Sequence, residues 1–494
     1  MTAAAHTVDQ HAGGNEPIDV FGRRLPYKYL VAIVYVTALF LDILDITIVN
    51  VAIPQLGFEF ATENAEWIVL GYTLSLAVWI PVSGWLGDRF GTKRVFIFAF
   101  GAFVFGSLLC AAAQSIEQLI AFRVVQGVGG GMLTPVGVTM LFRAFPPAER
   151  ARASTYIMIP TLAAPALGPI LGGLLVTHAS WRWIFLINVP IGIVGLLFGM
   201  KFLREQRELA VGRFDIPGFL LSGSALALVV YGLSEGPRTS WTDPVVLTTL
   251  GLGAVLGVAM VWVETHVAEP MLALRLFGNR IFRQCNVVSA LSTMSFLGLL
   301  FVMPLYLQLL RGLSPLQSGL TTFPQAFGVM ISSQFAGRLY ARIGPRRLMA
   351  GGLLAAGLVI SFFIGLDENS SLWLIRSMMF VRGLCMGFAF VPMQAASYAS
   401  IAPADNGRAS AIFATQRQVA ISVGVAVLAS VLASYMSLSQ PPQTAAEIAR
   451  ALTGYQIAFG LAVVFALAGG VAALFIRDSD AEATMVARRT SAST

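Results

Sequence analysis

The sequence predicts an all-α integral membrane protein of fourteen spanning helices, arranged as two related bundles of six with an extra pair between them. Three observations carry that reading. Apolar residues make up 56% of the chain and charged residues 12%, with a mean hydropathy of +0.76, a composition no soluble domain needs. The apolar residues fall in runs long enough to cross about 30 Å of hydrocarbon as helices. A short basic loop, Gly84 to Phe96 (GWLGDRFGTKRVF), returns 253 positions later as Gly337 to Met349 (GRLYARIGPRRLM). A second repeat, Pro147 to Ser154 against Pro403 to Ser410, has an offset of 256, so six helices form each half.

Met1 to Gly22 is polar and lacks an apolar core, and residues 1–27 are expected to be a disordered cytoplasmic tail. The first bundle, residues 28–204, holds runs at 29–53, 66–86, 95–114, 118–142, 153–177 and 183–203. Residues 205–270 carry the inserted pair, 216–234 and 245–264. Its charged linkers, Lys201 to Arg213 and Glu264 to Arg283, are expected to lie along the cytoplasmic surface. The second bundle, residues 271–477, holds runs at 284–310, 315–337, 348–366, 372–397, 409–436 and 455–476, and residues 478–494 form a second cytoplasmic tail.

Charge tests this count, because one missed helix would invert every later loop. Of 32 Lys and Arg residues, 24 fall on the side of the termini, whereas Arg182, Arg238, Arg311 and Arg450 fall on the other. The remaining four, Arg123, Arg376, Arg382 and Arg417, lie inside runs. That asymmetry supports fourteen helices with both termini cytoplasmic; the expected location is a bacterial cytoplasmic (inner) membrane.

The same composition excludes other classes. The net charge of +7 is spread over short loops rather than gathered in a stripe, which argues against nucleic acid. Cys110, Cys285 and Cys385 are far apart in apolar runs, and the histidines show no ligand spacing, so no metal is expected. Gly127 to Met132 (GVGGGM) lacks the Lys-Ser/Thr of a phosphate loop, so no ATP-driven pump is expected. No residue pattern supports an enzyme.

Asp42 and Asp45 lie one turn apart near the middle of the first helix. A carboxylate there costs about 2.5 to 3.5 kcal/mol unless it pairs, faces a cavity or keeps its proton. A surround that moves can therefore switch such an acid between holding and releasing a proton; the structural alternative is a fixed hydrogen bond between helices. Arg123, inside the fourth helix, is a cation able to neutralise such an acid, or else an anchor snorkelling to the interface. Arg382 and Arg417 at comparable depth can bind anions or tie helices together through carbonyls, and tying is the preferred reading. Arg376 reads as a snorkelling anchor. Trp67, Trp181, Trp183, Trp241 and Trp373 read as interfacial anchors.

Four motifs, in order and on successive helices, identify a resemblance. They are Leu44-Asp45-Ile-Thr47-Ile-Val-Asn50-Val-Ala-Ile-Pro54, the loop Gly84-Trp-Leu-Gly-Asp88-Arg89-Phe-Gly91-Thr-Lys93-Arg94, Arg123-Val-Val-Gln126-Gly127-Val-Gly-Gly, and Ala164-Pro165-Ala-Leu-Gly168-Pro169-Ile-Leu-Gly172-Gly173. From about Tyr27 to Arg477 the chain resembles the major facilitator superfamily, specifically its fourteen-span drug:proton antiporter branch. Two departures are Thr92, where a basic residue is usual, and Ala164, where glycine is usual.

The resemblance implies the major-facilitator fold and a proton-coupled antiporter of multidrug efflux type. Asp45 and Arg123 would carry proton coupling, joined by Asp42, which lies outside the signature. Gly84, Asp88, Arg89, Gly91, Lys93 and Arg94 would form a conformational latch, with Asp88 facing the start of the helix near Ala409; the alternative is a turn that only sets topology. Asp88 falls on Ala341 in the second copy, which makes the latch one-sided. Pro165, Gly168, Pro169, Gly172 and Gly173 would form a pliant gating helix, or ordinary small-residue packing. Candidates for the substrate cavity are Asn50, Gln126, Met294, Phe323, Arg382, Met386 and Arg417, although most of the Met and Phe residues in the second half are expected to face lipid or core.

The implied partners are an amphipathic small molecule, protons and the bilayer, with no cofactor and the proton gradient as energy source. Alternatives are export of an endogenous lipid, siderophore or metabolite, and a non-transporting membrane sensor or scaffold. The sequence names neither the cargo nor a periplasmic partner.

Overall fold

The computed structural model describes residues 17–20, 23–145, 150–207, 213–267, 270–402, 405–438, 440–482 and 485. Within the expected tail, β1 (Pro17–Val20) pairs antiparallel with β2 (Arg23–Pro26), so these two strands next to the first helix are ordered; residues 1–16, 21 and 22 lie outside the described residues. The second tail lies outside them from residue 486 onward.

The first bundle consists of α1 (Tyr27–Glu59), α2 (Trp67–Phe90), α3 (Thr92–Ala112), α4 (Ile116–Ala144), α5 (Arg150–His178) and α6 (Trp183–Phe202). The inserted pair is α7 (Ile216–Glu235) and α8 (Pro244–His266). In the second bundle, α9 is Arg280–Leu310, and α10 runs as Pro315–Thr322 and then, past a break, Pro324–Ile343. The last four helices are α11 (Pro345–Gly365), α12 (Leu372–Ser397), α13 (Asn406–Tyr435) and α14 (Ala445–Leu474).

Among the described residues, twelve of these helices are long and apolar enough to cross a membrane. The other two are α5, whose apolar part is Ala163–His178, and the broken α10. Pro324 explains the break, since it removes an N–H and disfavours helix at the residue before it. Helix α14 begins ten residues ahead of its apolar run because Thr444 and Glu447 form a capping box.

The halves repeat in packing as well as in sequence. In the first, α1 packs on α5, and α4 on α2 and α3; in the second, α9 packs on α13, and α12 on α10 and α11. The halves meet where α2 touches α13, α5 touches α10 and α1 touches α9. The inserted α7 lies over the α2–α13 seam, with Trp79 edge-on to Phe219. Most of α8 is exposed and apolar, as a helix surface bathed in lipid must be.

One continuous apolar cluster, from Ile48, Ile53 and Leu70 to Leu299, Met303, Ile421 and Leu428, joins the halves on the face away from the termini. On the terminal face each half has its own cluster, one around Phe96, Phe100 and Met140, the other around Met349, Leu353 and Met393. A Cβ added to Gly84, Gly337 or Gly407 on that face would meet open space. The shared cluster therefore closes the halves against each other on the far face, whereas on the terminal face their clusters are separate, with Ala414 of α13 packed against the first-half one.

Two acids just beyond helix ends cap other helices. Glu205, just past α6, accepts from the backbone N–H of Lys93 (3.0 Å) and Arg94 (3.2 Å) at the start of α3. Asp478, just past α14, does the same for the N–H of Arg346 at 2.9 Å, at the start of α11. Both acids sit against a glycine with positive φ, Gly91 and Gly344, where a side chain would be strained and would strike the carboxylate. Trp181 is buried, its Nε1–H donating to Glu59 at 2.7 Å, so it is a structural residue and not an interfacial anchor. Trp183, Trp241 and Trp373 are exposed.

Candidate functional site

Asp45 is fully buried at the centre of the first bundle, in a cage drawn from α1, α3, α4 and α6. Arg123 Nη1 donates to its Oδ2 at 2.5 Å, and the two side chains are 0% and 1% exposed. Gln126 Nε2 donates to Asp45 Oδ1 at 2.9 Å, and Asn188 Nδ2 to the same oxygen at 3.3 Å. Ser107 Oγ accepts from Gln126 at 2.7 Å, and Gln126 Oε1 accepts from Arg123 at 2.7 Å. Arg123 Nε donates to the Ile68 carbonyl at 3.0 Å, which fixes the guanidinium against α2. Nε and Nη1 of the arginine are thus both engaged, as a buried cation requires.

Tyr72 joins this cage to the second acid. Its ring lies 4.0 Å below the Arg123 guanidinium, a cation–π distance, while its hydroxyl donates to Asp42 Oδ1 at 2.6 Å. Asp45, Arg123, Tyr72 and Asp42 therefore form one unbroken polar path through an apolar bundle. Asp42 is 6% exposed, the outermost member of the path.

The glycines of α4 make the path possible. A Cβ at Gly127 would lie 2.6 Å from Ser75 Cβ, one at Gly130 2.9 Å from Asp42, and one at Gly106 on α3 2.5 Å from Gln126 Cα. Only bare backbone lets α2, α3 and α4 approach closely enough for Gln126 and Arg123 to reach Asp45.

The expected gating residues lie at a three-helix contact. On α5, Gly168 and Gly172 face α1, meeting Thr47 and the Ile48 carbonyl, while Gly173 faces the Pro315 carbonyl of α10 in the other half. Gly319 of α10 lies against the Pro169 carbonyl, and the Leu316 N–H donates to Thr177 at 3.1 Å. In the second half, Gly424 of α13 packs on Met294 of α9 and repeats the α5–α1 approach without a proline.

Other expected residues have different surroundings. Gln126 belongs to the Asp45 cage rather than to a cavity wall. Arg382 is 0% exposed and donates to Gln325 and to the carbonyls of Ser295 (3.1 Å) and Phe296 (3.0 Å), so it ties α12 to α9 and α10 and faces no cavity. Met386 is likewise fully buried in the second-half cluster. Asn50 donates to Ile46 and leaves its Oδ1 unpartnered. Met294 and Phe323 are half-buried, Phe323 stacking on Phe327. Arg417 is exposed.

In the basic loop, Asp88 pairs with Arg143 of α4 at 3.3 Å, within its own half. The expected partner region near Ala409 packs instead with Leu272, Leu276 and Phe282 of the second half. Tyr72, Ser107 and Asn188 escaped the sequence reading; the available signal was a single strong hydrogen-bonding residue inside an otherwise apolar run.

Comparison with known proteins places this geometry in context. The family model described as Major Facilitator Superfamily matches residues 35–425 and again 285–492. The Multidrug resistance protein B homolog of Mycobacterium tuberculosis (strain ATCC 25618 / H37Rv) is 37% identical over 413 residues, 82% of this chain and 76% of that protein. The Putative multidrug resistance protein MdtD of Serratia proteamaculans (strain 568) is 31% identical over 399 residues, 80% of this chain and 83% of that protein. Among solved structures, a peptide transporter POT in complex with sulfate superposes with a TM-score of 0.67 at 15% identity, covering 95% of this chain and 98% of that one. A bacterial homolog of the human lysosomal transporter Spinster, in an inward-facing and unoccupied conformation, gives 0.65 at 16% identity over 93% of this chain and 98% of that one. At such identities these two structures speak for the fold.

Proposed function

The chain belongs to the major facilitator superfamily, and from that premise we propose that it exports amphipathic organic compounds from the cytoplasm in exchange for protons, by alternating access. It is a multi-pass membrane transporter, related to transporters and not to enzymes. The excess of Lys and Arg on the terminal face supports a cytoplasmic location for that face in a bacterial inner membrane. The space between the halves then opens to the cytoplasm, and the shared apolar cluster seals the outer side.

The observation that carries the proposal is the polar path from Asp45 through Arg123 and Tyr72 to Asp42. A lone buried carboxylate would keep its proton; one held by a guanidinium at 2.5 Å is an ion pair. Moving α4 or α2 relative to α1 pulls Arg123 and Tyr72 away from the acids, which then take up protons. In this cycle the outward-open state loads protons from outside, and the inward-open state releases them as Arg123 returns. Substrate binding between the halves favours one bundle arrangement, and that preference is the energetic link between the two fluxes. Gly168, Gly172, Gly173 and Gly319 supply the closely packed seam that opens and closes. No cofactor takes part, and the proton gradient is the energy source.

The test is flux in proteoliposomes of the purified full chain, with a panel of toxic amphiphiles and an imposed pH gradient. Accumulation that collapses on addition of a protonophore is expected. Accumulation indifferent to the gradient would overturn proton coupling, and absence of flux for every compound would overturn export.

A further inference from the structure

Arg417 stands apart from the other charged groups in the middle of the bundle. Asp45 and Arg123 neutralise one another, Asp42 is held by Tyr72, and Arg382 is enclosed by carbonyls. Arg417, halfway along α13, is exposed and makes no hydrogen bond or ion pair within bonding distance among the described residues. It is near enough to Asp42 to feel its charge.

Its neighbours show which way it faces. Ala414, one turn earlier, packs against the first-half cluster, and Ile421, one turn later, enters the apolar seal shared by the halves. Ser422 donates to Thr73 of α2 at 2.9 Å. Arg417 therefore lies on the side of α13 turned toward the first half, immediately beneath the far-face seal, at the closed end of the space between the bundles. Elsewhere around this turn of α13, Thr415 Oγ1, both amide atoms of Gln416 and Gln418 Oε1 are buried without partners among the described residues. A guanidinium exposed deep in a membrane protein, with no partner among the described residues, leaves its planar fork free for a ligand.

We propose that Arg417 anchors an anionic group of the transported molecule, a carboxylate, sulfonate or phosphate carried on an apolar body. The guanidinium presents a planar fork that matches such an oxyanion with two parallel hydrogen bonds, and the low-polarity closed end of the cavity strengthens them. The apolar body of the ligand then lies along the side chains that line the space toward the open face. Two acids against three arginines in the core leave an excess of positive charge, which favours an anion over a cation there. This inference rests on the export reading and narrows its substrate class.

The experiment uses the full chain in nanodiscs and a matched pair of dansyl-labelled alkyl probes, one ending in a carboxylate and the other in a trimethylammonium group, with binding read by fluorescence. Wild type is expected to bind the carboxylate probe more tightly, and Arg417→Gln to lose about tenfold to a hundredfold of that affinity while the cationic probe is little affected. Arg417→Lys is expected to retain part of the preference. Equal binding of the two probes, tighter binding of the cation, binding of neither, or an unchanged carboxylate affinity in Arg417→Gln would overturn the proposal. The wild-type preference requires no mutant to fold. Charge-selective binding without gradient-driven export would sink the export reading and leave the anchor standing, whereas export without charge preference would sink the anchor alone.

Discussion

Replacing Asp45 by Asn removes one charge of a pair in which both members are at most 1% exposed. Breaking a buried pair from one side costs about 3 to 5 kcal/mol, because the remaining ion stays in a medium that cannot solvate it. Here the Ile68 carbonyl and the Tyr72 ring still hold Arg123, and a cation–π contact is worth about 1 to 2 kcal/mol, so the lower part of that range applies, about 3 kcal/mol. Arg123→Gln leaves Asp45 with only the Gln126 and Asn188 amides and belongs at the upper end. The double variant Asp45→Asn/Arg123→Gln has no unpaired charge, so it is expected to recover much of what either single change loses. The assay is thermal unfolding of the four proteins in one detergent, followed by size-exclusion of the surviving fraction. A double variant whose loss equals the sum of the two single losses would refute the reasoning, since it would mean that the two charges do not depend on each other.

Gly319→Leu drives a side chain into the Pro169 carbonyl and is expected to open the far-face seam, read as faster labelling of the buried cysteine in a Ser318→Cys background. Unchanged labelling would show that the α5–α10 contact does not hold that face shut. At the same face, Arg238 of the segment after α7 pairs with buried Glu66 at 2.6 Å, and Ser234 bonds the same carboxylate. Burial pushes the Glu66 carboxyl above the usual carboxylate range, with Arg238 opposing. A group protonated more readily when enclosed favours the enclosed state as pH falls and weakens it as pH rises through the raised range. Far-face closure, followed by the same labelling, is therefore expected to relax with rising pH in wild type and to lose that dependence in Glu66→Gln. Glu205→Gln weakens the cap on α3, expected at about 0.5 to 1 kcal/mol for a partly exposed site, and is checked as a small fall in melting temperature.

Much of the architecture was legible because span length and apolarity are local properties of the chain. Each run became a helix, and the two loop repeats marked the halves. Boundaries moved where polar residues extend a helix beyond its apolar window, as at Thr444, or where Pro324 breaks one. Asp45 and Arg123 were legible as costly charges that demand an explanation, and each explains the other. What they bind between them was less so. Gln126 looked like cavity lining, and its true partners sit on α1 and α3, which no spacing along α4 reveals. Ser107 and Asn188 read as ordinary small polar residues until three helices bring them to one carboxylate. Arg382 and Arg417 are alike as isolated arginines in apolar helices, yet one is wrapped in carbonyls and the other stands open to the cavity. Only packing separates them.

The central claim, that Asp42 and Asp45 carry protons in exchange for substrate, is tested most directly by the variant with asparagine at both positions. In proteoliposomes it is expected to exchange labelled substrate for unlabelled substrate across the membrane, while failing to accumulate it against a concentration difference when a pH gradient is imposed. Gradient-driven accumulation at the wild-type rate in that variant would contradict the claim outright.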